Sequence, residues 1–294
     1  MADAILACAE LLRKWIGERI SPDSLAWLDA QISNLKEQGT DKALYLALGY
    51  MPRRLGKRDL NLSGEEYRAA QAVRPGWDPR DWSVDQAARL AFILGSFDGD
   101  EPRFKTRLEQ LFRTADIGEL IAFYRGLPLY PAPEMHVARA REGARSAMQP
   151  IFEAVAHRNP YPKEQFDENA WNHMVLKALF IGSRLDPIQG LDERTNPALT
   201  RMLCDYAHER WAAGRPVTPE LWRCVGPFAD AAAIGDLERV LETGTPVEQQ
   251  AAALALRACP AAGAKDILEK WTALLPETAA VSKANWATLA AAAQ

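Results

Sequence analysis

At six points along the chain a Ser, Thr or Asn stands where its side-chain oxygen can accept from the orphan N–H groups that open a helix. They are Ser21 before Pro22, Ser63 with Glu66 three residues on, Ser83 with Gln86, Asn196 before Pro197, Thr218 before Pro219, and Thr245 before Pro246 with Glu248. Proline in the first turn loses no hydrogen bond, and Glu or Gln at the third position completes a capping box. Between these starts lie segments of helical length: Leu25 to Lys36, Val84 to Leu94, Pro102 to Phe112, Val137 to Ala156, Ala170 to Ile181 and Ala198 to Ala212. Alternating β-branched runs are absent and 50 of the 294 residues are alanine, so pattern and propensity agree on an all-α chain.

Gly, Pro, Asn and Asp punctuate the segments at the interval of helix-turn-helix repeats. Ile117-Gly118-Glu119-Leu120 leads to Gly126-Leu127-Pro128, and Ile234-Gly235-Asp236-Leu237 leads to Gly244-Thr245-Pro246. This two-copy pattern predicts antiparallel helix pairs stacked as a short HEAT-like α-solenoid, or else an irregular helical array. One domain over 1–294 is expected, with N-terminal helices over 1–158, a polar region over 159–215 and HEAT-like helices over 216–294. In that last part small alanines let helices approach closely.

A chain of this length buries a sizeable core unaided, so no cofactor or metal staple is needed. The net charge of −4 gives no whole-surface attraction to nucleic acid or to anionic lipid; such a partner needs a local patch, and no nucleic-acid partner is expected. Cys8, Cys204, Cys224 and Cys259 have no CxxC-type spacing and read as buried thiols of a reducing compartment. Asp3 and Glu10 bracket an apolar run too short for a signal peptide, and the longest apolar stretch, MVLKALFIG, contains Lys177. A cytoplasmic chain without a transmembrane segment is expected.

Residues 159–215 depart from this pattern. The opening NPYP favours an extended connection. In WNHMVLKALFIG only Asn172, His173 and Lys177 are clearly polar, and a helix apolar nearly all round is buried, so these three must be paired or line a cavity. The turn GLDERTNP supplies Asp192, Glu193 and Arg194, and the next helix carries Arg201, Asp205, His208, Glu209 and Arg210. Offsets of three and four place Arg201, Asp205, His208 and Glu209 on one flank. The two helices are thus able to face a shared ligand pocket of Asn172, His173, Lys177, Asp192, Arg194, Asp205, His208, Glu209 and Arg210. His173, Lys177, Asp205 and His208 are its candidates for catalysis, and His173, His208 and a carboxylate a metal alternative. The plainer alternative pairs Asp205 with Arg201, packs His208 and lets Lys177 reach solvent along its stem.

Two further features stand out. Arg53, Arg54, Lys57 and Arg58 lie within six residues around Gly56, suited to a phosphate or diphosphate or else to a solvated loop. Trp77 and Trp82 flank the Asp78-Pro79 turn and read as structural pins, while His136 and His157 stand alone.

YLALGYMPRRLGKRDL (45–60), RPGWDPRDWSVDQAARL (74–90) and the blocks NPYPKEQFDENAWNHMVLKALFIG and GLDERTNPALTRMLCDYAHERWAAGR (within 159–215) together resemble the EboA family. The resemblance implies a place in a bacterial gene cluster that makes or moves a secondary metabolite across the inner membrane. Its implied partners are the other products of the cluster, at the cytoplasmic face of that membrane, together with a small-molecule ligand. It brings no catalytic residues. Two functions follow as expectations. One is a non-catalytic accessory or scaffold protein that binds a partner or a prenylated or phosphorylated intermediate. The other is an enzyme with a His/Asp/Lys pocket between the 170–181 and 198–212 helices.

Overall fold

The computed structural model of the chain describes residues 2–38, 41–274 and 285–292, and among these every regular element is a helix. Of the expected HEAT-like segment 216–294, residues 275–284 and 293–294 lie outside the described residues. Asp59 and Ser83 form an isolated antiparallel β-bridge. No described helix is long and apolar enough to cross a membrane. The chain divides into two compact units, Met1–Phe166 and Asp167–Gln294.

The first unit contains α1 (Ala2–Gly17), α2 (Pro22–Gln38), α3 (Asp41–Leu55), α4 (Gly64–Val73), α5 (Val84–Gly95), α6 (Glu101–Thr114) and α7 (Ile117–Arg125). After two 3-10 turns, Leu127–Leu129 and Pro133–His136, it continues with α8 (Val137–Gly143), α9 (Gln149–Ala156) and α10 (Tyr161–Gln165). Helix α5 is its axis: nearly every residue from Val84 to Leu94 is buried, with α1, α2, α3 and α7 packed around it. Ala87, Ala88 and Ala91 leave room for that approach, because a helix crossed on several sides needs small side chains where backbones come close. Trp77 and Trp82 are buried in a ring cluster with Trp15, centroids 5.6 and 5.9 Å apart, as structural pins should be.

Two local expectations are corrected. Val137 to Ala156 is not one helix. Pro150 would lack its N–H and clash with the carbonyl of residue 146 inside a continuous helix, so the chain breaks after Gly143 and Pro150 enters the first turn of α9 instead. The NPYP segment is not extended: Pro160 and Pro162 occupy the start of α10, where proline is tolerated. Asn159 braces that start, donating to the carbonyls of Tyr124 and Ala154 and accepting from the Tyr161 N–H.

The Ser63 capping box forms as its spacing predicts, and Glu66 also receives two 2.8 Å bonds from Arg19. Those bonds, with the Ser63 N–H, hold the Glu66 carboxyl down to about 2. Its folded pKa therefore lies below the unfolded value of about 4.3, so the unfolded chain takes up the proton first. This contribution is complete above about pH 4.3 and is lost as pH falls toward 2. Glu66→Gln should lower stability at neutral pH and flatten the dependence of the urea midpoint on pH across that window; an unchanged slope would show that the pair does not contribute.

The second unit contains α11 (Glu168–Phe180), α12 (Pro197–Ala212), the 3-10 turns Pro219–Cys224 and Gly226–Phe228, α13 (Ala231–Thr243), α14 (Pro246–Ala258), α15 (Ala262–Leu274) and α16 (Trp286–Ala292). Here α14 is the axis, buried from Ala251 to Leu256 and packed by α13, α15, α16 and both turns. The two copies of the Ile-Gly-acid-Leu pattern are not structurally equivalent. Ile117 opens α7, whose end leads into a 3-10 turn, whereas Ile234 is the fourth residue of α13, whose end leads directly into α14. Each copy follows its own cap, Asp116 in one case and Asp230 in the other.

Candidate functional site

Helix α11 is started by Asp167, whose carboxylate accepts from the Ala170 N–H at 2.8 Å. Trp171, Asn172, Met174, Val175, Ala178 and Leu179 face inward. Asn172, expected to be paired, is paired: it exchanges two amide hydrogen bonds with Asn196, at 3.1 and 2.8 Å. The Asn196 oxygen also caps α12 through the Leu199 N–H, so one amide pair fixes the start of α12 against α11.

His173 is not buried. It lies on the outer face of α11, with Nδ1 2.8 Å from the Asn169 carbonyl of its own helix, and Lys177 is half-buried one turn further on. The near-uniform apolarity of this segment misled here, because α11 also leaves Phe180 60% exposed and so presents a face to solvent. Asp192 receives two bonds from Arg223, at 2.6 and 2.7 Å, and Arg223 also reaches Asp186. Arg194 covers the buried Trp171 ring at 4.6 Å.

On α12, Arg201, Asp205, His208 and Glu209 form an exposed flank, as their spacing predicts. His208 does not turn toward α11. Its Nε2 lies 2.8 Å from both oxygens of Asp236 on α13, and its ring adjoins Trp211, which stacks on Trp222. Asp236 sits within the second Ile-Gly-acid-Leu motif, a signal that was available in the sequence. His173 and His208 thus bond to different elements, and among the described residues no group of three His, Cys, Asp or Glu side chains is placed to hold a metal. Burial raises the thiols of Cys8, Cys204 and Cys224, to about 11, 12 and 12 respectively, which keeps them protonated at neutral pH. A buried carboxylate missed in the sequence, Glu220, accepts from the N–H groups of Leu185 and Asp186 and holds the loop after α11.

The opening beside these helices lies elsewhere on α12. A groove of about 500 Å³ runs between the end of α11, the outer half of α12, the 216–219 segment and the start of α14. Leu179, Tyr206, Val217 and Val247 supply apolar wall, and Arg210 and Glu248 supply charge. Glu248 is held by the Thr245 cap, and Arg210 donates through Nε to the Pro216 carbonyl at 3.0 Å. Phe180 packs on Tyr206, ring centroids 4.9 Å apart. Of the nine residues expected to bind ligand, Arg210 alone is among those lining this groove.

The chain is therefore an all-helical protein whose polar region mainly ties helices together beside an open, largely apolar groove. It belongs to the EboA family, described as metabolite traffic protein EboA, which it matches over residues 8–226. No curated protein and no solved structure gives a significant match.

Proposed function

We propose that the chain is a non-catalytic accessory protein in the biosynthesis or trafficking of a bacterial secondary metabolite, and that its groove holds a prenylated, phosphorylated intermediate. The observation that carries this reading is the pairing of apolar wall with one cation. Leu179, Tyr206, Val217 and Val247 suit a hydrocarbon tail, and the Nη groups of Arg210, which make no hydrogen bond among the described residues, suit a phosphate at its end. The enzyme alternative loses support from the separate engagements of His173 and His208, since an acid-base pair has to reach one substrate.

Isothermal titration with farnesyl diphosphate tests the proposal. Binding is expected, weakened about tenfold or more by Arg210→Ala, the worth of a charge-assisted hydrogen bond. Absence of binding, or equal affinity in Arg210→Ala and Tyr206→Ser, overturns it. Retention of another product of the same gene cluster on the purified chain, lost in Phe180→Ala, would assign the groove to a protein partner instead.

A further inference from the structure

Helix α3 has two faces of opposite character. Leu44, Ala47, Leu48, Met51 and Leu55 are buried, while Lys42, Leu46, Tyr50, Arg53 and Arg54 are exposed, at offsets that place them in one stripe. Leu46 and Tyr50 are about half exposed, at 52% and 50%, an unusual position for large apolar side chains one turn apart. The stripe continues past the helix into Lys57 and Arg58, both exposed.

From Lys42 to Arg58 there are five cations and no acidic residue, a net +5, so the remaining 277 residues carry −9 against the whole-chain −4. The positive charge is thus concentrated here against a negative background. Arg53, Lys57 and Arg58 make no ion pair within the described residues, and Arg54 lies 5.9 Å over the half-buried Trp27. Two cations at the end of α3 would be enough to offset the helix dipole, which leaves the others without a structural task.

The segment is also held in place. The Arg58 carbonyl accepts from the Val84 N–H at 2.9 Å, the Leu60 N–H donates to the Trp82 carbonyl at 2.8 Å, and the Ser24 hydroxyl donates to the Arg54 carbonyl at 3.0 Å. A cleft lined by Tyr45 and Leu48 of α3 and by Leu111 and Phe123 opens along the same helix.

We infer that the outward face of α3, from Lys42 to Arg58, docks on an anionic lipid bilayer. Cations at the surface meet lipid phosphates, while Leu46 and Tyr50 enter the boundary between headgroups and acyl chains, the arrangement of an interfacial amphipathic helix. Apolar side chains within the cationic stripe separate this occupant from a nucleic acid duplex, whose bases are stacked inside and whose outer surface meets a protein chiefly with charge. They separate it equally from a free phosphate, which needs no exposed Leu46 or Tyr50. The inference is independent of the groove beside α12.

Co-sedimentation with phosphatidylcholine vesicles, with and without phosphatidylglycerol, tests it at low and physiological salt. Binding is expected only with phosphatidylglycerol and is weakened by salt. Arg53→Ala, Lys57→Ala and Arg58→Ala combined should weaken it about a hundredfold, and Leu46→Ser with Tyr50→Ser about tenfold, each with unchanged circular dichroism and Tm because the positions are exposed and Arg54 stays on Trp27 at the end of α3. Equal binding to neutral vesicles, or full binding by the triple variant, overturns the inference. So does release from vesicles by micromolar pyrophosphate, which would mark a phosphate pocket, or tighter binding to a DNA duplex than to vesicles.

Discussion

Arg89→Met should destabilise the Met1–Phe166 unit by about 3–5 kcal/mol, the usual cost of leaving one member of a buried ion pair alone. Asp85 in the first turn of α5 and Arg89 one turn further on are bonded at 2.6 Å, with the Arg89 and Asp85 side chains 2% and 5% exposed. The Ser83 hydroxyl donates to the other oxygen of Asp85, also at 2.6 Å, whereas Arg89 Nε is buried without a hydrogen-bond partner among the described residues. Methionine fills much of the arginine volume, so the loss would report charge rather than a cavity. Replacing both residues, Asp85→Leu with Arg89→Met, should recover much of it, because neither charge then has to be desolvated. Urea unfolding of the two single variants and the double gives the coupling directly. The exposed Arg103–Asp98 pair, 56% and 44% exposed, serves as the contrast: it should contribute at most about 1 kcal/mol. A cost below about 1 kcal/mol for Arg89→Met would mean that water reaches Asp85 in the folded chain.

The buried pair also shows what can be read from residues in order and what cannot. Asp85 and Arg89 are spaced for an exposed helix pair, and nothing local says that α1, α2, α3 and α7 close over them. Helix starts are legible for the opposite reason. The cap and the N–H it satisfies are three residues apart, so Ser63 to Glu66 and Asn196 to Leu199 form as their spacing requires. Helix continuity across Pro150 was equally open to local reading, since a proline inside Val137 to Ala156 is itself a break signal.

The candidate site was legible to the extent that its chemistry is local. The exposed flank of α12 follows from offsets of three and four. The pairing of Asn172 follows from its apolar surroundings, but its partner 24 residues away is decided by how α11 meets α12. His208 bonds to Asp236, 28 residues on, which no periodicity within α12 can indicate. The groove itself is made from residues that look ordinary in sequence, Leu179, Tyr206, Val217 and Val247, brought together from three helical segments and a loop. The stripe on α3 is intermediate. Its charges are obvious in sequence, yet only the burial of Leu44, Leu48 and Met51 shows that Leu46 and Tyr50 are left outside.

Gly226→Ala should destabilise the Asp167–Gln294 unit by about 3 kcal/mol, at the upper end of what overpacking costs. A Cβ on Gly226 would lie 2.4 Å from the carbonyl oxygen of Ala255, 2.8 Å from its Cα and 2.9 Å from its carbonyl carbon. All three are backbone atoms of α14, which no rotamer change can move. Gly126 and Gly143 are also crowded, but by the side chains of Leu90, Tyr124, Tyr130 and Val155, which have somewhere to turn. Because the clash is with backbone, Ala255→Gly should fail to rescue Gly226→Ala, an outcome opposite to that of a side-chain clash. Gly235→Ala provides the matched control. It lies within α13 with nothing inside 4 Å of the added carbon, and should stabilise by roughly 0.5–1 kcal/mol through helix propensity. Relief of the Gly226 clash requires α14 to move from the Gly226–Phe228 turn, and the first turn of α14 carries Val247 and Glu248 into the groove wall. Farnesyl diphosphate should therefore bind more weakly to Gly226→Ala than to the parent chain under conditions where both remain folded. Full stability in this variant, measured by urea unfolding, would show that the turn and α14 lie further apart than the structure places them.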